Sequence, residues 1–243
     1  MKNQEICLIV KEFLSWRENL YKGLNARRET IIELIDALSS NQQAASVVEL
    51  SLNPLFRRDY NSLYKGIQEF LPDQTDDNYK QQVNCLLDAV SQTIPRTKSR
   101  SFNLLGIDTT PYPRPYSATL ADKTFIHYPN PIKGNKPISI GHTYSVVSAL
   151  PDRSKTGNVP WAIPLSGERI PAKEKFAELG NKQLKKIFKT SSFSDNQLSV
   201  LVADSLYSQR GFIGEQVKQK NLVTITRVRS NRVYNPSIYS GND

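Results

Sequence analysis

The hydrophobic periodicity of this chain changes once, near Pro95, and that change restricts the possible folds more than any other feature. Up to Ile94 the apolar residues recur at helical spacing only. Ile6, Ile9, Val10, Phe13, Leu14, Leu20 and Leu24 predict the buried face of a first helix, and Ile31, Ile32, Leu34, Ile35 and Leu38 a second. Leu63, Tyr64, Ile67, Phe70 and Leu71 mark a third. Tyr79, Val83, Leu86, Leu87, Val90 and Ile94 mark a fourth, entered through Thr75-Asp76-Asp77, whose acids suit a helix N-terminus. The polar segment 96–102 reads as a linker.

Beyond it, strand and helix signals alternate. A short apolar run, Leu104 to Ile107, ends at Asp108, and a polar, proline-rich stretch with several tyrosines follows. Strands are expected over 138–150 and 161–170, joined by a turn at Gly157-Asn158. A basic helix over 173–189, a buried strand over 198–203 ending at Asp204, a helix over 208–219 and a strand over 222–228 complete the order. Three strands fit an antiparallel meander, and the later two add in parallel through helical crossovers. The expected class is α/β: a helical domain over 1–98, then a mixed sheet with flanking helices over 99–243.

Charge follows the same division. Residues 1–98 carry 12 Lys/Arg against 13 Asp/Glu, whereas residues 99–243 carry 20 against 10. A basic excess confined to one region suits a polyanion such as nucleic acid. No apolar run approaches the roughly 20 residues that span a bilayer. With only Cys7 and Cys85, in no metal or redox spacing, a reducing cytoplasm is the expected compartment, both thiols buried on helix faces.

Asp108 and Asp204 carry the chemistry. Each follows a short apolar strand, and strand ends in an α/β sheet open onto a common crevice. Converging carboxylates are hard oxygen ligands for Mg²⁺ (or Mn²⁺), and two such ions serve phosphodiester displacement. Taken singly, either Asp is more often a turn former or helix N-cap; it is the pair, in this strand order, that points to chemistry. Thr109 and Thr110 read as strand or capping residues. Two histidines, His127 and His142, do not make a zinc site, and His142 reads as a packed strand residue. No glycine-rich phosphate loop is present, and Ser205 lacks the glycine flanks of a nucleophile elbow.

At these residues the sequence resembles the DDE transposases of bacterial insertion sequences, in the ribonuclease-H-like and retroviral-integrase superfamily. The resemblance rests on GIDTTPYPRPYS (106–117), KGNKPISIGHTYS (133–145), PWAIPLSGERI (160–170), VLVADSLYSQ (200–209) and NLVTITRVRSNRVY (221–234), with SVVELSLNPLFRRDYNSLY (46–64) similar to the front region. It implies a ribonuclease-H-like core, with Asp108 and Asp204 as first and second catalytic, metal-holding acids. It also implies a third acid, a Glu on a helix after strand 222–228. The acids after Asp204 are Glu215 and Asp243, neither in that place, so a core incomplete at its C-terminus, truncated and inactive alone, is the expectation. The implied partner is double-stranded DNA, transposon ends and target, handled by a homo-oligomer near the nucleoid. The implied activity is strand cleavage and strand transfer; the alternative is a non-catalytic DNA-binding or inhibitory fragment, with a host nuclease of the same core as a further option. Arg227, Arg229 and Arg232 are candidate phosphate contacts, the first two sharing a strand face, and Lys133 and Lys136 are further candidates. Lys182, Lys185, Lys186 and Lys189 line one side of a helix, usually a solvated face.

Overall fold

A computed structural model of the chain describes residues 2–70, 77–95, 100–128, 133–151, 161–193 and 197–228. The chain divides into two compact units, Met1–Thr93 and Ile94–Asp243.

The first unit is helical: α1 (Lys2–Gly23), α2 (Arg28–Ser39), α3 (Val47–Leu50), α4 (Tyr60–Phe70) and α5 (Asp77–Ser91). Leu20, Leu24, Ile31, Ile32, Phe70 and Ala89 form one core patch, and Leu34, Ala37, Leu50, Phe56 and Leu63 another. The Trp16 indole N–H donates to the Ala89 carbonyl at 2.9 Å, and Arg17 grips Asp36 through both oxygens. The front of α1 departs from expectation. Ile6, Ile9, Val10, Phe13 and Leu14 are each about half exposed rather than buried, and Cys7 is exposed while Cys85 is half-buried. The apolar stripe runs the length of α1, but among the described residues it is the second half, from Trp16 on, that joins the buried cluster. Periodicity shows which face seeks cover, not whether cover is there.

The second unit is a mixed sheet: β1 (Asn103–Pro113), β2 (Thr124–His127), β3 (Ile138–Ala149), β4 (Ile163–Ile170), α6 (Phe176–Ile187), β5 (Ser199–Ala203), α7 (Arg210–Gln216) and β6 (Leu222–Thr226). The strands run β2-β3-β1-β5-β6, with β4 also on β3. Pairings among β1, β2, β3 and β4 are antiparallel; β1–β5 and β5–β6 are parallel. With β2 set aside, three antiparallel strands, β4-β3-β1, are continued by two parallel ones, β5 and β6, the order expected from the sequence. The Gly157-Asn158 turn falls outside the described residues.

Two features were not expected. β2 is an extra strand within the proline-rich excursion. β1 does not stop at Asp108 but runs on to Pro113, paired with β3 as far as Gly141. The prolines are tolerated for a reason of register. Asn103 N–H bonds the β5 side, to the Leu198 carbonyl, whereas Arg114 N–H bonds the β3 side, to the Ile140 carbonyl. Odd-numbered residues of β1 thus turn their nitrogens toward β5, which ends opposite Ile107. Pro111 and Pro113 lack an N–H only where no described strand waits for one. Gly141 is needed where β1, β2 and β3 meet, because a Cβ there would run into the Tyr112 carbonyl.

One face of the sheet carries the core. Leu105, Ile107, Val147, Ala149, Leu165, Leu201 and Ala203 are buried there, together with Leu184 and Ile187 of α6 and Phe212 of α7. Leu184 and Ile187 are fully buried, worth about 1.5–3 kcal/mol each. On the other face Val202, Val223 and Ile225 remain exposed.

Candidate active site

Alternation along β1 buries Leu105 and Ile107 and turns the next residue, Asp108, to the opposite, exposed face. β5 repeats the device: Leu201 and Ala203 are buried, and the backbone of Asp204 is still extended (φ −77, ψ −177), which carries the alternation one residue further. Ile107 pairs with Ala203 in parallel register. Asp108 and Asp204 therefore occupy the next step on neighbouring strands, whose axes lie about 4.8 Å apart. The structure brings the two acids together although 96 residues of sequence separate them.

Each carboxylate is oriented by one backbone donor. Thr109 N–H donates to Asp108 Oδ1 at 2.7 Å, and Leu206 N–H donates to Asp204 Oδ1 at 2.8 Å. The second bond makes Asp204 the N-cap of a short 3₁₀ turn, Ser205–Tyr207, so the structural role weighed for this residue is also real. Among the described residues the Oδ2 of each acid takes no hydrogen bond, leaving a hard oxygen for a divalent cation. No group of three or more His, Cys, Asp or Glu side chains suited to one ion occurs among the described residues. The pair itself fits Mg²⁺ or Mn²⁺, ions that keep water and substrate oxygens in their shell and need only one or two carboxylates.

A buried tyrosine feels both acids. Tyr207, closing the 3₁₀ turn, has its hydroxyl pushed up to about 12, by burial first and then by the negative charges of Asp108 and Asp204. Tyr207, Ser145 and Gln183 form a polar group beneath the acids that the sequence reading did not single out. Its one sequence signal is Gln183, a polar residue on the apolar stripe of α6 beside Leu179, Leu184 and Ile187.

Arg227, exposed, comes right after Thr226, the β6 partner of Ala203, and so stands one strand over from Asp204. Arg229 and Arg232 lie outside the described residues. Lys133 and Lys136 are exposed ahead of β3 and are not near the acids: Val146, the partner of Asp108, is eight residues beyond Ile138, about 26 Å along the strand. Three of the α6 lysines are paired, Lys182 with Glu174, Lys185 with Glu215 and Lys186 with Glu168, at 2.6, 2.6 and 2.9 Å. Glu215, also bridged by Lys218, is held down to about 2 by these two lysines. His142 contacts the Ala121 carbonyl and Arg169, a structural setting, and His127 is exposed on β2. Tyr112, on the Asp108 side of β1, lies under the Arg114 guanidinium at 4.4 Å. No described helix is long and apolar enough to cross a membrane.

Residues 19–238 match the family model described as DDE superfamily endonuclease. Among solved structures, the chain is similar to a piggyBac transposase in a synaptic complex with hairpin DNA, with 13% identity and a TM-score of 0.40 over 92% of this chain. The match spans 44% of that chain, so this sequence has less than half its counterpart's length. No curated protein matches.

Proposed function

The chain belongs to the DDE superfamily of endonucleases, and from that premise we propose that it is a transposase-type enzyme cutting and joining strands of double-stranded DNA, with Asp108 and Asp204 as its metal-holding acids. The observation that carries this reading is the parallel register Ile107–Ala203, which sets an exposed and a half-buried carboxylate position side by side on two neighbouring interior strands. Bound there, Mg²⁺ or Mn²⁺ supplies Lewis acidity to the scissile phosphodiester. The protein's own part is to hold and orient. Backbone N–H groups of Thr109 and Leu206 fix the two carboxylates, so little reorganisation is left for the moment of reaction.

The basic excess of residues 99–243 holds the duplex, with Arg227 placed to meet a phosphate beside Asp204. Tyr112 and Arg114, on the Asp108 side of β1, add a cation and an aromatic surface for the same strand. Work on two DNA ends is the task of a homo-oligomer, and the uncovered α1 stripe supports self-association. Five half-exposed side chains at roughly 100 Å² each come to about 1,000 Å² in a symmetric pair, the lower bound of specific interfaces. A second reading, a DNA-binding module that does not cut, draws on Glu215: the next acid after Asp204 is engaged by Lys185 and Lys218 rather than by the pair.

The test is nicking of supercoiled plasmid by the full chain with Mg²⁺ or Mn²⁺. Metal-dependent nicking that disappears in both Asp108→Ala and Asp204→Ala supports the enzyme. Nicking that survives either substitution rules these acids out, and DNA binding without nicking in the parent favours the second reading.

A further inference from the structure

Tyr207 is the largest fully buried side chain among the described residues, yet its hydroxyl is not surrounded by carbon alone. It lies 3.2 Å from Ser145 Oγ on β3, and Ser145 Oγ donates to Gln183 Oε1 at 2.7 Å. Gln183, fully buried on α6, donates from Nε2 to the Ser145 carbonyl and to Ser166 Oγ, both at 3.0 Å. The direction of this relay follows from the supply of hydrogens. Ser145 gives its only one to Gln183, so Tyr207 donates to Ser145. Burial and the neighbouring acids hold the phenol well above its ordinary value, which keeps that proton in place.

The tyrosine ring is fixed as firmly as its hydroxyl. Phe212 and Phe176 hold it at centroid distances of 4.9 and 5.5 Å, and Gly180 leaves the room it occupies. Tyr207 ends the 3₁₀ turn that Asp204 begins, and Ser145 is the register partner of Thr109, the residue after Asp108. The Tyr207–Ser145 bond therefore ties the end of β5 to β3, passing beneath β1, the strand of the first acid. A slip of that turn would carry Asp204 out of step with Asp108.

We propose that Tyr207, through Ser145 and Gln183, is a positioning strut that keeps the Asp204 carboxylate level with Asp108. The proposal rests on the reading of those two acids as a divalent-cation site. It adds a residue that touches neither metal nor DNA and acts only by fixing the spacing of those that do. Groups bonded directly to a metal ligand lower metal affinity by roughly 10–100-fold when substituted, and the same range is expected here, reached through the turn that Asp204 begins.

The experiment is Mn²⁺ titration of the full chain followed by the EPR signal of the free ion, with urea unfolding on the same samples. Tyr207→Phe keeps the ring and removes only the hydroxyl; the expected result is Mn²⁺ affinity lower by roughly 10–100-fold. Ser145→Ala, which cuts the same relay from the other side, gives a similar loss, and the double variant loses little more than either single one. Ile126→Val, a buried change on β2 opposite Ser139 and so six residues along β3 from Ser145, separates positioning from general loosening: it lowers the urea midpoint and leaves Mn²⁺ affinity as in the parent. Should Tyr207→Phe fail to fold, Ser145→Ala alone makes the comparison. Affinity unchanged in Tyr207→Phe or in Ser145→Ala, while Asp108→Asn abolishes binding, overturns the strut and leaves the acid pair standing. Affinity unchanged in Asp108→Asn as well overturns the metal-site reading, and the strut falls with it.

Discussion

Gly180 on α6 sets two opposing effects against each other, and the structure decides between them. Helix propensity alone favours Gly180→Ala by about 0.8–1 kcal/mol, since alanine loses less backbone entropy on folding. The packing opposes it. A Cβ at this position would stand 2.9 Å from Ile107 Cδ1, 3.1 Å from Tyr207 Cε1 and 3.3 Å from Phe212 Cε2. Carbon atoms rest near 3.5–4.0 Å, so three neighbours would each have to retreat by a few tenths of an ångström or more. They have nowhere to go: Tyr207 and Phe212 are 0% exposed and Ile107 is 3% exposed. Overpacking of this kind costs about 1–3 kcal/mol, and with three immobile neighbours the upper part of that range applies. The expected net effect is a loss of about 1–2 kcal/mol. In urea unfolding followed by far-ultraviolet circular dichroism, a slope of roughly 2 kcal/mol per molar turns this into a midpoint lower by about 0.5–1 M. A Gly180→Ala variant as stable as the parent, or more stable, would refute the reasoning. It would mean that α6 can lift from the sheet at little cost and that Tyr207 is not held as described.

Two further perturbations test the electrostatics. Glu215 is held at about 2, below its ordinary 4.5, by Lys185 and Lys218. A depressed carboxylate contributes stability that is fully present above the unfolded value and is lost as pH falls through the folded one. Glu215→Gln should therefore flatten the fall in unfolding midpoint between about pH 4.5 and pH 2, and parallel profiles for variant and parent would contradict the assignment. In the helical unit, Glu33 is 5% exposed and accepts from the backbone N–H of Arg57 at 3.1 Å and from its guanidinium at 2.9 Å, with Arg58 at 3.4 Å. Glu33→Ala strands that backbone donor and should cost about 1–3 kcal/mol in thermal unfolding; an unchanged midpoint would show that solvent replaces the bond freely.

Much of the second unit was legible because its signals are local. A buried apolar run followed by an acid marks where a strand turns a side chain to solvent, at the end of β5 for Asp204 but in the middle of β1 for Asp108. The α6 stripe of Leu179, Leu184 and Ile187 fixed a helix and its buried face. The end of β1 was not legible, because two prolines in Pro111–Pro113 ordinarily argue against a strand. Only the knowledge that β5 stops opposite Ile107 makes them harmless. β2 was missed for a similar reason: Thr124–His127 is too short to announce itself and exists because β3 offers it an edge.

The amino-acid sequence by itself determined the main helices and strands and their order, the confinement of basic charge to residues 99–243 and the two acids that directly follow buried apolar runs. These depend on neighbours within a turn or a pleat. Tertiary structure alone decided the rest: the register that sets Asp108 beside Asp204, the bond from Tyr207 to Ser145 across 62 residues, and the exposure of Ile6 to Leu14 on α1. The physical reason is that a side chain's period encodes the face that seeks burial, whereas what lies against that face is chosen by chain segments far away. No local energy distinguishes a stripe that finds a partner from one that does not.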